Sequence, residues 1–315
     1  MTLQYDPEFL EEAGPKLKLM GSVPKPALHD VATRRAWTAS LCSPLPPIPD
    51  NMEKLIYHIP TEDGFQLPIH HFRLRNKPSL KGEPAILHIH GGGFISLTAE
   101  QLSPDHVGAV SRTGVQILTV DYRLAPEHPY PTPVNDCWAA LQWLWANTSQ
   151  LFIDPTRIAL MGESAGGGIC AGLTIMAREK ELHPPIAKQI LIYPMIDDRT
   201  KTNHAGKLAF WDEIDNETAW TAYLGEDMGT DRVDAYAAPA RVESVVGLPP
   251  LYLECGQLDI FLPEGMNYAF QFIKANIPVE FHTYPGLPHG FEGLAPSISA
   301  TKKCYANRDR AISNF

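Results

Sequence analysis

The sequence predicts an α/β protein with a mainly parallel central sheet, flanked by helices on both faces and carrying a helical cap. Three observations predict it. Short apolar runs recur at 85–89, 115–120, 157–161, 186–193 and 251–254. Segments with helical periodicity, such as 134–146 and 165–179, lie between most of them. Most of these runs are apolar on both faces rather than alternating, which marks strands covered on both sides, as in sheets built by helical crossovers.

Taken in chain order, two helices are expected near 7–13 and 27–41. The stretch SPLPPIPD at 43–50 then places four prolines in eight residues. Proline fixes φ and lacks the amide donor, so this is a linker. Residues 1–50 are therefore expected as N-terminal helices contributing to the cap, and 51–315 as the main α/β domain. Strands at 54–59 and 66–74 flank the turn Glu62-Asp63-Gly64. A last strand, 279–284, alternates in hydrophobicity. One interval breaks the rhythm: 197–248 contains Trp211, Trp220 and many acids but no buried strand. It reads as an insertion at the carboxyl edge of the sheet, where ligands bind in such folds.

Composition excludes several functions. The 36 acids outnumber the 26 Lys and Arg, leaving a formal charge of −10 that repels polyphosphate and anionic bilayers. Nucleic acid is not an expected partner. No run of 18 apolar residues supports membrane insertion. The five cysteines, at 42, 137, 170, 255 and 304, are odd in number and form no CxxC pair. With no signal-like N-terminus, they point to reduced thiols and a cytoplasmic location.

The sharpest motif is Gly162-Glu163-Ser164-Ala165-Gly166, with an apolar run entering it and a helical stretch leaving it. The glycines permit a tight strand–turn–helix that projects the Ser164 hydroxyl into a cleft, beside the positive end of the helix. A second motif, His90-Gly91-Gly92-Gly93-Phe94, follows the run at 85–89. Glycines let bare backbone approach a ligand and leave amides free for an oxyanion. The other half of such a hole is the residue after the nucleophile, Ala165.

A serine nucleophile needs a base, and the base an orienting acid. Among twelve histidines, His289 stands in Leu287-Pro288-His289-Gly290-Phe291, after the last strand. Asp259 follows the strand 251–254, with Glu254 and Glu264 as rival acids. Glu254 is expected inside the strand and Glu264 inside the next helix, which favours Asp259. The order Ser, Asp, His is that of the α/β-hydrolase fold. His88 and His90 flank Ile89 like a metal pair, but no third ligand is evident at a fitting spacing. Trp138, Trp143 and Trp145 recur near helical spacing and read as packing.

From His88 to Phe291 the chain resembles the hormone-sensitive-lipase family of esterases, the microbial group known as family IV. The resemblance rests on HGGGF at 90–94, DYRLAPE at 121–127, GESAGGG at 162–168, YPMID at 193–197 and the His289 loop. It implies a triad of Ser164, Asp259 and His289, an oxyanion hole from the amides of Gly92, Gly93 and Ala165, and no cofactor. It also implies a cap from the N-terminal helices and the segment after Tyr193, over a site for small esters of short or medium acyl chain. Two departures stand out. Glu163 replaces the family's usual Asp, and Ile260-Phe261-Leu262-Pro263 make a greasier acid loop than the usual DPLxDE. A lactonase or specialised-metabolite esterase, or a non-catalytic receptor of the same fold, are the alternatives. The residues leave the oligomeric state open, with a homodimer carried forward as an expectation.

Overall fold

Eight strands form one sheet in the order β1-β2-β4-β3-β5-β6-β7-β8 in the computed structural model, which describes residues 2–42, 45, 47–75 and 82–315. β1 (Met52–Pro60) and β2 (Gln66–Leu74) make an antiparallel hairpin, and β2 pairs antiparallel with β4 (Gln116–Val120). The other pairings are parallel: β3 (Glu83–Ile89), β5 (Ile153–Glu163), β6 (Lys188–Ile192), β7 (Leu251–Gly256) and β8 (Val279–Tyr284). β4 and β7 are buried throughout and β6 nearly so, as the continuous apolar runs require, whereas edge strand β8 is mostly half-buried. The tryptophans pack as expected: Trp138, Trp143 and Trp145 lie partly buried against the main core.

Helices make the crossovers. α3 (Ser103–Thr113) joins β3 to β4, α4 (Thr132–Ala146) joins β4 to β5, and α5 (Ala165–Glu179) joins β5 to β6. α5 is buried from Ala165 to Ala177, so its small residues face packed structure on every side. The long interval 197–248 separates β6 from β7 and contains α6 (Glu213–Leu224) and three short 3₁₀ turns, with no strand among its described residues. α7 (Leu262–Lys274) precedes β8, and α8 (Phe291–Leu294) and α9 (Ser299–Ser313) close the chain.

The N-terminal helices differ in extent from the expectation. α1 (Pro7–Gly21) continues through Pro15, because Phe9 and Ala13 anchor it to a second core with Leu287, Phe291 and Leu294. Tertiary burial here outweighs the missing proline hydrogen bond. α2 (Val31–Leu41) starts four residues later than expected, where the Asp30 carboxylate accepts from the Thr33 amide at 3.0 Å and caps it. Of the proline-rich linker, Ser43, Pro44 and Pro46 lie outside the described residues. No described helix is long and apolar enough to cross a membrane.

Candidate active site

Ser164 sits between the end of β5 and the start of α5 with φ 53° and ψ −121°, a conformation L-residues avoid. The surroundings hold it there. The Ser164 amide donates to the Ile192 carbonyl at 2.9 Å, while its own carbonyl accepts from Gly168 and Met195. The turn is so tight that a Cβ on Gly166 would lie 2.0 Å from the Ile89 carbonyl oxygen. Glycine is required by that approach, and it brings β3 and its loop against the serine.

His289 enters from the β8–α8 loop. Its Nε2 lies 3.1 Å from Ser164 Oγ, and its Nδ1 lies 2.6 Å from Asp259 Oδ2. Asp259, fully buried after β7, also accepts from the Phe261 amide at 3.0 Å. The aromatic rings of Tyr193 and Phe261 stand edge-on to the imidazole, at 4.5 and 5.3 Å between centroids. The rival acids face elsewhere. Glu254 lies inside β7 and binds Arg308 and Tyr252. Glu264, in α7, accepts from the amides of Ile196 and Asp197 and from Thr200.

The glycine loop follows β3, which lies directly beside β5 although β4 separates them in sequence. Gly92 has φ +105° and Gly93 φ +61°. The amides of Gly92, Gly93 and Ala165 donate to no acceptor among the described residues. Ala165 opens α5, where helical geometry leaves its amide free. The DYRLAPE segment braces this loop: Tyr122 donates to the His90 carbonyl at 2.9 Å, and the Ala125 amide to the Phe94 carbonyl at 2.9 Å. His88 does not pair with His90 toward a common point. Its Nε2 faces the Glu163 carboxylate at 2.8 Å and its Nδ1 the Thr119 hydroxyl at 2.9 Å.

A cavity of about 310 Å³ opens onto Ser164 and His289. Local sequence did not flag several of its walls. α2 supplies Trp37, Thr38 and Leu41, and Trp37 stacks on Phe210 at 5.7 Å. Arg35 fixes α2 there, donating to the Ile95 and Ala125 carbonyls and to both oxygens of Glu127. Buried Arg34 donates to Asp215 at 2.9 Å, tying α2 to α6. Asp105, Tyr305 and Arg308 also line it. No motif marks these residues, since each is a single polar group on an ordinary helix. Glu254, Glu292 and Cys304 lie close enough to hold a cation, but Arg308 bonds both carboxylates and fills that role.

Burial holds several imidazoles neutral. Desolvation pushes His71 and His90 down to about 4, His88 to about 3, and His106 well below its ordinary range. Desolvation also raises three carboxyls: Asp105 to about 6, and Glu163 and Glu264 above their usual values. Below about pH 6.5 the unfolded chain protonates histidines that the folded chain keeps neutral, so stability falls on acidification. The raised carboxyls oppose this, because the folded state retains protons there that the unfolded state releases. The five lowered histidines, His70 included, outnumber the three raised carboxyls, so the net effect between roughly pH 6.5 and 4 is a loss of stability toward acid. Melting temperatures measured across that range should fall steadily toward acid. A flat or rising Tm would contradict this balance.

A family profile described as alpha/beta hydrolase fold matches residues 86–293. Among curated relatives, esterase LipI of Mycobacterium tuberculosis is 33% identical over 229 residues, covering 71% of this chain and 70% of that protein. Carboxylesterase NlhH of the same species is 34% identical over 224 residues, covering 69% of each. Among solved structures, a bacterial heroin esterase superposes with a TM-score of 0.88 at 34% identity, covering 98% of this chain and 97% of that one.

Proposed function

This chain belongs to the alpha/beta hydrolase fold family, in its hormone-sensitive-lipase-like branch, and from that premise we propose that Ser164, His289 and Asp259 hydrolyse small esters through an acyl-enzyme. The chain is a serine carboxylesterase, in keeping with relatives named as an esterase and a carboxylesterase. The observation carrying the residue assignment is the continuous hydrogen-bonded relay from Asp259 through His289 to Ser164.

His289 Nε2 takes the proton from Ser164 as Oγ attacks the ester carbonyl, and Asp259 stabilises the imidazolium. The carbonyl oxygen becomes an oxyanion within reach of the free amides of Gly92, Gly93 and Ala165. The intermediate then collapses, the C–O bond to the alcohol breaks, and His289 returns the proton to the leaving oxygen. Water repeats the sequence on the acyl-enzyme and restores Ser164. No step calls for a cofactor or metal.

α1, α2 and the 197–248 interval act together as a cap, supported by the Arg34–Asp215 pair and the Trp37–Phe210 stack. The cavity of about 310 Å³ stands at the small end for ligand sites and suits short to medium acyl chains. Five cysteines without a disulfide fit the cytoplasm. The unpaired edge of β8 and the exposed Met266, Phe270 and Ile273 of α7 fit a homodimer. The direct test is fluorophosphonate labelling followed by a panel of nitrophenyl esters of rising acyl length. Labelling at Ser164, with kcat/KM highest for short or medium chains, is the expected result. A protein that neither labels nor turns over any ester would defeat the reading.

A further inference from the structure

Where α3 packs on α9 the cavity lining is charged, and acyl transfer uses none of that charge. Asp105 projects from the first turn of α3 and is exposed at the cavity, with no hydrogen-bond or ion-pair partner among the described residues. Glu163 lines the same space, bonded through its carboxylate to His88, an imidazole that burial keeps neutral. Glu292 is 6% exposed; its Oε1 accepts from Tyr193 and Arg308, but its Oε2 is buried without any partner.

Arg308 is the cation on this wall, and its charge is already committed to Glu254 and Glu292. Arg112, the other cation acting on Asp105, is paired with Asp309. Carboxylates therefore exceed available cations here. Desolvation by the protein packed around Asp105, and next the nearby Glu163 charge, raise its carboxyl to about 6.

We propose that this wall, centred on Asp105 and the unpartnered oxygen of Glu292, recognises a protonated amine carried by the ester substrate. The inference rests on Ser164 being the nucleophile that shares the cavity. Asp105 and the Glu163–Glu292 side would repel a substrate carboxylate. The wall's carboxylates are not gathered tightly enough for a metal ion, since the one such group among the described residues is Glu254, Glu292 and Cys304 around Arg308. An alkylammonium is larger, spreads its charge over its methyl groups, and tolerates that wide spacing. The Tyr193 ring lines the same cavity, whereas the Tyr305 ring is already engaged by the guanidinium groups of Arg112 and Arg308, each 5.2 Å from its centroid.

Isosteric ester pairs test it, differing only in charge: dimethylaminoethyl acetate against isopentyl acetate, and ethyl dimethylaminobutanoate against ethyl methylhexanoate. The first places the amine in the alcohol and the second in the acyl group, so both halves of the site are sampled. At pH 8 the cationic member of at least one pair should show a KM lower by about tenfold, the scale of one partly screened charge contact reinforced by its neighbours. Asp105→Asn should bring the cationic-to-neutral ratio of kcat/KM down toward one, a ratio that a general loss of folding does not move. Equal KM values in both pairs, or a ratio unchanged by Asp105→Asn, would overturn the inference while ester hydrolysis stands. Butyltrimethylammonium binding to the Ser164→Ala protein by calorimetry separates the two readings. Binding weakened about tenfold by Asp105→Asn supports the amine wall even if no ester is turned over, and absence of binding sinks it even if the neutral esters are good substrates.

Discussion

Ser164→Ala is expected to lower kcat by about 10⁶, and His289→Ala by a similar factor, with little further loss when the two are combined. Non-additivity is expected because neither group works without the other: Oγ attacks only as Nε2, 3.1 Å away, takes its proton. Asp259→Asn costs about 10⁴, since the amide leaves the geometry in place but favours the wrong imidazole tautomer. Glu264→Gln provides the control. Its carboxylate is tied to the Ile196 and Asp197 amides, with no hydrogen bond to His289, so Tm should suffer more than kcat. Stopped assays on nitrophenyl acetate with melting curves on the same preparations decide the matter. Near-normal rates in Asp259→Asn would show that another acid orients the base.

Gly92→Val is expected to lower kcat by at least about 10²–10³, the cost of losing about one oxyanion donor. At φ +105° an L side chain is strained, and a Cβ would stand 2.0 Å from the Ser96 carbonyl oxygen, so the loop must move. Moving it displaces the free amides of Gly92 and Gly93 together. Gly93→Val acts differently. Its Cβ meets the far edge of the Trp211 ring at 2.6 Å, a side chain able to swing into the cavity, so KM should rise along with the fall in kcat. Fluorophosphonate should label both variants more slowly than the parent, because its adduct occupies the same amides. Melting temperatures should drop more for Gly92→Val, whose obstacle is backbone rather than a side chain. Parent-like kcat in both valine variants would remove the glycine loop from the oxyanion site.

The parallel sheet, the serine turn and the glycine loop were all legible in the sequence, because each depends on local physics. Short apolar runs rich in β-branched residues and bounded by turn residues fit strands buried on both faces, and glycines on either side of Ser164 fit a turn with no room for a Cβ. Asp259 and His289 were legible as candidates by their places after β7 and β8, although 30 residues separate them in the chain. Helix ends were less so: α1 runs through Pro15 because Phe9 and Ala13 find a partner core that no local rule reveals. What only the tertiary structure decided is who stands around the chemistry. The strand order sets β3 beside β5, which places Gly92 and Gly93 next to Ser164. Long-range pairing through Arg34 and Arg35 sets α2 over the cavity, and packing of α3 and α9 brings Asp105 to the same wall as Arg308. A periodic pattern tells a residue which way to face. It cannot tell two distant charged side chains that they will meet, because that encounter is fixed by how whole elements stack rather than by anything within reach along the chain.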